Sequence, residues 1–308
     1  MRQLVTGGAG FIGSHLVEAL LKEGHEVRVV DSLITGRRSN LDTFYKDIEF
    51  IEGDLANPEI ARKAVQGVDC IFHEAAVPSV PRSVETPLLT QHNGEIALLN
   101  VLTEAVAAGV RRVVLAASSS AYGDTPTLPK VETMPSSPRS PYAASKLACE
   151  GYLSAFAHSY PIDTVSLRYF NVFGLRQDPG SPYSGVIAKF TTVMKKGERP
   201  VIYGDGKQTR DFCYIANAVQ ANLLAMRHHN PLKGGVFNIG YGRQTSLNEL
   251  VRVLNRLFGT SLEPVYQPSR AGDVRDSLAD ISKAVGVLGY CPTHDLESGL
   301  REFLAQSE

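Results

Sequence analysis

The chain has 308 residues, 43% of them hydrophobic and 20% charged, with 31 basic and 32 acidic side chains and a net charge of -1. This is an ordinary globular composition with ample length for a sizeable core; without a basic excess or an apolar run longer than a strand, neither nucleic acid nor a membrane is an expected partner. The four cysteines, Cys70, Cys149, Cys213 and Cys291, are scattered and form no Cys-x-x-Cys pair, so neither a zinc site nor a disulfide framework is indicated and no metal is expected.

The N-terminus enters a strand and glycine loop at once, which leaves no room for a signal peptide, and a cytoplasmic location is the expectation. β-Branched runs then alternate with helical patterns. Strands are predicted at residues 4–6, 27–30, 48–52, 70–73, 112–117 and 164–169. Helices are predicted at 11–23, at 58–66 with Asn57 as N-cap and Pro58 in the first turn, at 97–108 within a longer helix, and at 142–158. This rhythm implies βαβ units and a Rossmann-type, doubly wound parallel sheet. Beyond residue 174 the rhythm is irregular. Residues 174–185 are rich in Gly, Pro and Ser, and helices are expected at 186–196, 215–228, 246–258 and 296–306. The chain divides into a dinucleotide-binding part, residues 1–174, and a smaller α/β part, 175–308, that covers the sheet's ligand edge. Residues 212–240 include returns to the sheet, best at 236–239.

Thr6-Gly7-Gly8-Ala9-Gly10-Phe11-Ile12-Gly13 lies between the first strand and the first helix. Gly7 can turn sharply, Gly10 lets backbone approach a pyrophosphate, and Gly13 lets helix and sheet pack closely. The helix N-terminus offers N–H groups and a positive dipole end to phosphates. Asp31, 18 residues after Gly13, is placed to accept the adenosine ribose hydroxyls and to repel a 2′-phosphate, which favours NAD; Arg37 and Arg38 nearby leave NADP open. Asp54 is a candidate for the adenine amino group. The spacing is G-x-x-G-x-x-G rather than G-x-G-x-x-G, and its context of strand and amphipathic helix carries the reading.

Ser118-Ser119-Ser120 ends the fifth long strand, and Tyr142-Ala143-Ala144-Ser145-Lys146 opens the next helix. Residues four apart share a helix face. A free phenol, with a pKa near 10, is a poor base at neutral pH, but a neighbouring ammonium and a positive nicotinamide ring favour the phenolate. Tyr142 could then take a hydroxyl proton while hydride leaves the same carbon.

In this order, Thr6-Gly7-Gly8-Ala9-Gly10-Phe11-Ile12-Gly13, Asp31, Gly53-Asp54-Leu55, His73-Glu74-Ala75-Ala76, the serines with Tyr122-Gly123, Tyr142-x-x-x-Lys146 and Arg168-Tyr169-Phe170-Asn171 resemble the extended short-chain dehydrogenase/reductase family over essentially the whole chain. The resemblance implies Tyr142, Lys146 and Ser118 as catalytic residues, with Ser119 and Ser120 as alternatives to Ser118. It extends the NAD-binding set to Phe11, Ile12, Ser32, Gly36, Leu55, Ala75, Ala76 and Phe170, together with Tyr142 and Lys146. The family often places an Asn near residue 94; here Asn93-Gly94 is shifted by one.

Family dehydratases carry Thr-Asp-Glu where this chain has three serines, a pattern that resembles the nucleotide-sugar 4-epimerases and implies a UDP-sugar substrate. By resemblance Tyr203 would pack on uracil, Arg210 and Arg270 would pair with phosphate, Asp273 would hold the uridine ribose, and Asn171 a phosphate oxygen or sugar hydroxyl. Segments around Ser79 to Ser83 and from Gly185 and Val186 to Phe190 resemble enzymes of N-acetylated sugars, which adds Ser79, Arg82 and Val186 to the substrate set, while a hydroxyl of Ser118 or Ser119 at the strand end can hold the substrate oxygen. Ser277 stands where a bulky Tyr would exclude an acetamido group, so its small volume is permissive. A UDP-sugar decarboxylase is the other enzymatic reading, and an NAD-sensing protein with lapsed catalysis the non-enzymatic one. The histidines lack companions at metal-ligand spacing; His73 reads as strand-end packing. The family also implies a homodimer, with the helices around 97–108 and 142–158 forming a four-helix bundle.

Overall fold

A computed structural model describes residues 1–177, 185–269 and 274–305. The first half runs β1 (Arg2–Thr6), α1 (Phe11–Lys22), β2 (Glu26–Asp31), β3 (Ile48–Glu52), α2 (Pro58–Val65), β4 (Cys70–His73), α3 (Val80–Glu85), α4 (Pro87–Gln91), α5 (Ala97–Ala107), β5 (Arg112–Ser118), α6 (Pro141–Ser159) and β6 (Asp163–Tyr169). The second half runs β7 (Val172–Phe173), α7 (Val186–Lys195), β8 (Val201–Tyr203), β9 (Thr209–Asp211), β10 (Cys213–Tyr214), α8 (Ile215–Arg227), β11 (Gly235–Ile239), β12 (Gln244–Ser246), α9 (Leu247–Phe258), β13 (Val265–Gln267) and α10 (Leu296–Ala305).

Seven strands form one sheet in the order β11-β6-β5-β4-β1-β2-β3, every neighbouring pair parallel. This is the doubly wound arrangement expected from the alternating pattern. Its order reverses between β1 and β4, so the ligand crevice opens beyond the C-terminal ends of those two strands. Strand β11 adds to the outer side of β6, with Phe237 opposite Leu167. The remaining short strands pair as β7 with β10, β8 with β13 and β9 with β12.

Local chemistry sets the helix starts. Asn57 accepts the Glu59 N–H ahead of α2, with Pro58 at the first helical position. Ser140 accepts the Ala143 N–H ahead of α6, and Ser246 the Glu249 N–H ahead of α9. Helix α9 stops at Gly259, whose φ of 66° gives it a left-handed end. Segments α4 and α5 join through a π turn over His92–Ile96 into one helical run. A π turn accommodates an extra residue, and here it brings Asn93 to the ligand side of the helix.

One face of the sheet buries Leu16, Val17 and Leu20 of α1 with residues of α8, in a core that continues to α7 and α9; the other buries α2, α5 and α6. Each such side chain contributes about 1.5–3 kcal/mol. A charged clamp closes the far end of the sheet. Buried Arg112 of β5 bonds Asp163 at 2.6 Å and donates to the carbonyls of Ala225, Met226, His228 and Asn230 at the end of α8. Asp163 also accepts the Leu232 and Lys233 N–H groups. Replacing Arg112 by Met should therefore lower the unfolding free energy by about 3–5 kcal/mol, because a half-buried carboxylate and several carbonyls lose their donor. Urea denaturation measures it, and an unchanged midpoint would contradict the clamp.

Candidate functional site

A cavity of about 1070 Å³ opens along the C-terminal edge of the sheet. Its first wall is the glycine loop. Gly7 has a φ of 65°, and a Cβ there would lie 2.8 Å from the Ala75 backbone. A Cβ at Gly13 would lie 2.3 Å from the Gly7 carbonyl oxygen. Helix α1 begins directly after Gly10 without a side-chain cap, so the N–H groups of its first turn have no acceptor inside the helix and present a positive dipole end to the cavity. Glycines where no side chain fits and a bare helix N-terminus are the parts a pyrophosphate needs.

Asp31 ends β2 on the same wall. Its carboxylate accepts the Ala9 N–H at 2.9 Å and the Leu33 N–H at 2.8 Å, while Gly36 lies so close that a Cβ would meet the carboxylate at 2.7 Å. Burial raises the Asp31 pKa against those two donors. Arg37 lines the cavity, whereas Arg38 pairs with Glu52 and lies over the Phe50 ring. Further along are Ser32, Gly36, Asp54 and Leu55. Asp54 bonds the Ala56 N–H and His92. Asn93 also reaches this wall, its amide donating to the Leu89 carbonyl. These residues fit an NAD molecule lying across the switch point.

The catalytic candidates share the other half. Ser118, Tyr142 and Lys146 all line the cavity beside Ala75, Ala76, Ala116 and Ala117. The Ser118 Oγ accepts the Ser120 N–H at 3.2 Å and the Ser120 hydroxyl at 2.8 Å, so Ser120 supports Ser118. Lys146 is buried and donates to the Ala116 carbonyl at 2.7 Å. Thr6 ties this corner together, through the Ala75 N–H at 3.2 Å and the His73 Nδ1 at 3.1 Å. His73 is the packed strand-end residue expected: burial, with the Lys146 charge second, pushes its pKa down to about 3 and keeps the ring neutral.

Of the residues expected at a substrate, Ser79, Arg82 and Asn171 line the cavity. Ser79 caps α3 by accepting the Arg82 N–H. Asn171 has a φ of 32°, and its amide donates to the Asp211 carbonyl at 3.0 Å and to the Ser277 Oγ at 3.1 Å. Ser277 thus stands one bond behind the wall. Val186 follows the lining residue Gly185, and Arg210 precedes Asp211 and donates to the Thr209 and Arg275 carbonyls. The Tyr203 carbonyl accepts from Gln208. Among the described residues, Val186, Tyr203, Arg210, Ser277 and Ser119 are not on the cavity wall itself. Arg270 and Asp273 lie outside the described residues.

Phe170 is not among the residues that line the cavity. Its side chain is fully buried against Tyr122 and Ala279, and the neighbouring Tyr169 lines the cavity instead. Alternation along a strand sends 169 and 170 to opposite faces, which is the signal that separates them. Glu74, Arg176 and Gln177 also reach the wall without having been singled out. Only Glu74 carried a hint, as an acid directly after the apolar strand 70–73. No group of three His, Cys, Asp or Glu among the described residues could hold a metal ion.

Residues 3–240 match the NAD dependent epimerase/dehydratase family. The chain is 39% identical over 305 residues to the UDP-glucose 4-epimerase of Mycolicibacterium smegmatis, covering 97% of this chain and 96% of that protein. It is similar to the structure of a UDP-N-acetylglucosamine 4-epimerase from Methanobrevibacter ruminantium M1 in complex with UDP-N-acetylmuramic acid, with a TM-score of 0.94 and 39% identity over 99% of this chain and 97% of that one. A UDP-glucose 4-epimerase with UDP-glucose from Thermotoga maritima gives a TM-score of 0.93 and 40% identity, covering 99% and 98%. The chain belongs to the NAD dependent epimerase/dehydratase family.

Proposed function

We propose that the protein is an NAD-dependent UDP-sugar 4-epimerase. The observation that carries this reading is that Ser118, Tyr142 and Lys146 stand on one wall of the cavity that also holds the glycine loop and Asp31. A reacting sugar carbon can therefore sit between a proton acceptor and a dinucleotide. The serine run at the end of β5 offers hydroxyls rather than the acids that would drive loss of water.

The nicotinamide, when bound, supplies the hydride acceptor and then the donor. Tyr142 takes the 4-hydroxyl proton as C4 gives up its hydride, and the sugar becomes a 4-ketopyranose. Lys146, one turn further along α6, supplies a positive charge that favours the phenolate and holds the nicotinamide ribose. Ser118 donates to the C4 oxygen. The sugar then turns about its phosphate bonds while the UDP stays clamped, hydride returns to the opposite face, and C4 is inverted. Holding the reacting atoms in register is the protein's main contribution. Residues 1–174 with later returns would hold NAD, and residues 175–308 mainly the UDP-sugar, with Tyr203, Arg210, Arg270 and Asp273 on the UDP. The Ser277 side chain leaves volume for an acetamido group, so UDP-N-acetylglucosamine and UDP-glucose are both substrates of this reading.

Purified protein incubated with either sugar, without added cofactor, should form the galacto-epimer by NMR, and Tyr142→Phe should lower the rate by at least roughly a hundredfold while dinucleotide stays bound. No conversion of either sugar even with NAD supplied, or an unimpaired variant, would overturn the assignment; CO₂ release from UDP-glucuronate would redirect it to a decarboxylase.

We also propose a cytoplasmic homodimer. Free thiols, three of them buried, suit a reducing compartment, and no helix among the described residues is long and apolar enough to cross a membrane. Leu88 and Ile96, in the helical run that leads into α5, and Tyr152 of α6 are exposed, Leu88 to 78%, beside or on the helices expected to form the bundle. Replacing Leu88 by Glu should weaken the dimer by roughly tenfold or more, as read by sedimentation. A wild-type protein that sediments as a monomer would contradict the dimer.

A further inference from the structure

Glu74 is a half-buried acid that the mechanism above does not use. It follows β4 directly and lines the cavity among residues of the catalytic half. Its carboxylate accepts the Tyr169 hydroxyl at 2.9 Å, and that hydroxyl in turn accepts from the Asn222 amide of α8 at 2.6 Å. Tyr169 lines the cavity too, and Asn222 is fully buried. Three elements, the end of β4, the end of β6 and α8, thus hold one carboxyl group on the cavity wall within reach of the Lys146 charge.

We propose that Glu74 sets the balance between oxidised and reduced dinucleotide at this site, its carboxylate favouring the cationic nicotinamide ring over the neutral dihydronicotinamide. The proposal rests on the NAD reading of the cavity and deepens it. An epimerase must give up hydride as readily as it takes it. A fixed charge beside the ring shifts that balance toward the oxidised form, and an acid that can be neutralised limits the shift.

The ionisable groups acting on Glu74 are Tyr169 of β6 and Lys146 of α6. Its β4 neighbour His73 stays neutral, and the Thr6 and Asn222 side chains from β1 and α8 carry no charge. Burial pushes the Glu74 carboxyl up to about 7, against the Tyr169 hydrogen bond and the Lys146 charge, which both pull it down. The sign follows. Above neutral pH the carboxylate is present and binding of the cationic ring is favoured. Below it the proton stays on and the preference fades. Groups at the adenine end, such as Asp54 and His92, act on both dinucleotide forms alike and cancel in the ratio of affinities.

The test uses protein carrying Tyr142→Phe, which removes the proton acceptor at the reacting carbon. NADH bound to this protein is displaced by NAD⁺ between pH 6 and 8.5, and its fluorescence gives the ratio of the two affinities. The ratio should move toward NAD⁺ by roughly threefold to tenfold as pH rises. Adding Glu74→Gln, which keeps an acceptor for the Tyr169 hydroxyl, should leave the ratio flat and shifted toward NADH. Adding Tyr169→Phe should move the rise to higher pH, because the carboxylate loses its donor. A flat ratio with Glu74 intact, or an unchanged rise with Glu74→Gln, would overturn the proposal while leaving NAD binding in place. Failure to bind either dinucleotide would overturn the cofactor reading and this proposal together.

Discussion

Two backbones meet at the edge of the sheet, at Gly7 after β1 and Ala75 after β4, with no room between them for a side chain. This contact is the constraint from which the site follows. After β1 the chain turns onto one face of the sheet, and after β4 it proceeds to helices on the other, so a crevice opens where the two loops diverge. Gly7 permits the approach through its left-handed backbone, Gly13 permits α1 to start against it, and Thr6 bonds across it to both His73 and Ala75. The glycine loop and the catalytic half are therefore not separate modules. They share one seam, and a shift at either side would displace the other.

The charges around the crevice are placed with matching economy. Asp31 accepts two N–H groups of its own loops and so is held in a fixed orientation on the cavity wall. Lys146 is anchored to the Ala116 carbonyl. In the second half of the chain, Asp211 plays the corresponding part. Fully buried, it accepts from the N–H groups of Tyr241, Gly242 and Ala279, and burial still pushes its pKa up to about 6. It thereby joins β9 to the loop beyond β11 and to the segment carrying Ser277, and its backbone carbonyl holds Asn171. The part of the cavity wall that carries Asn171 is thus tied to the sheet through one carboxylate and one amide.

What could be read from the residues was what is local. A glycine loop between a strand and a helix, a serine run at a strand end and a Tyr and Lys four apart are each contained in one strand–turn–helix unit, so their spacing reports their geometry. Asn57 and Pro58 marked the start of α2 for the same reason. What escaped was either too short or too distant. Segments α3 and α4 each have Pro in the first turn and no full amphipathic period, and β7, β10, β12 and β13 have two or three residues each. The π turn at His92–Ile96 leaves no mark in a hydrophobic pattern, yet it brings Asn93 to the wall. Tyr169 and Phe170 were within reach, because strand alternation separates them. Glu74 and its partner Tyr169 are 95 residues apart, and Asp211 meets donors up to 68 residues away. No spacing rule connects such pairs before the sheet order is known.

On the proposed mechanism, hydride leaves the sugar carbon and returns to the same carbon within one crevice. The most direct measurement is to supply a UDP-sugar bearing deuterium at C4, in ordinary water, and to examine the epimer by NMR. This account expects the deuterium at C4 of the product, undiminished, with its configuration inverted. Loss of the label to solvent, or hydrogen from water at C4, would contradict it.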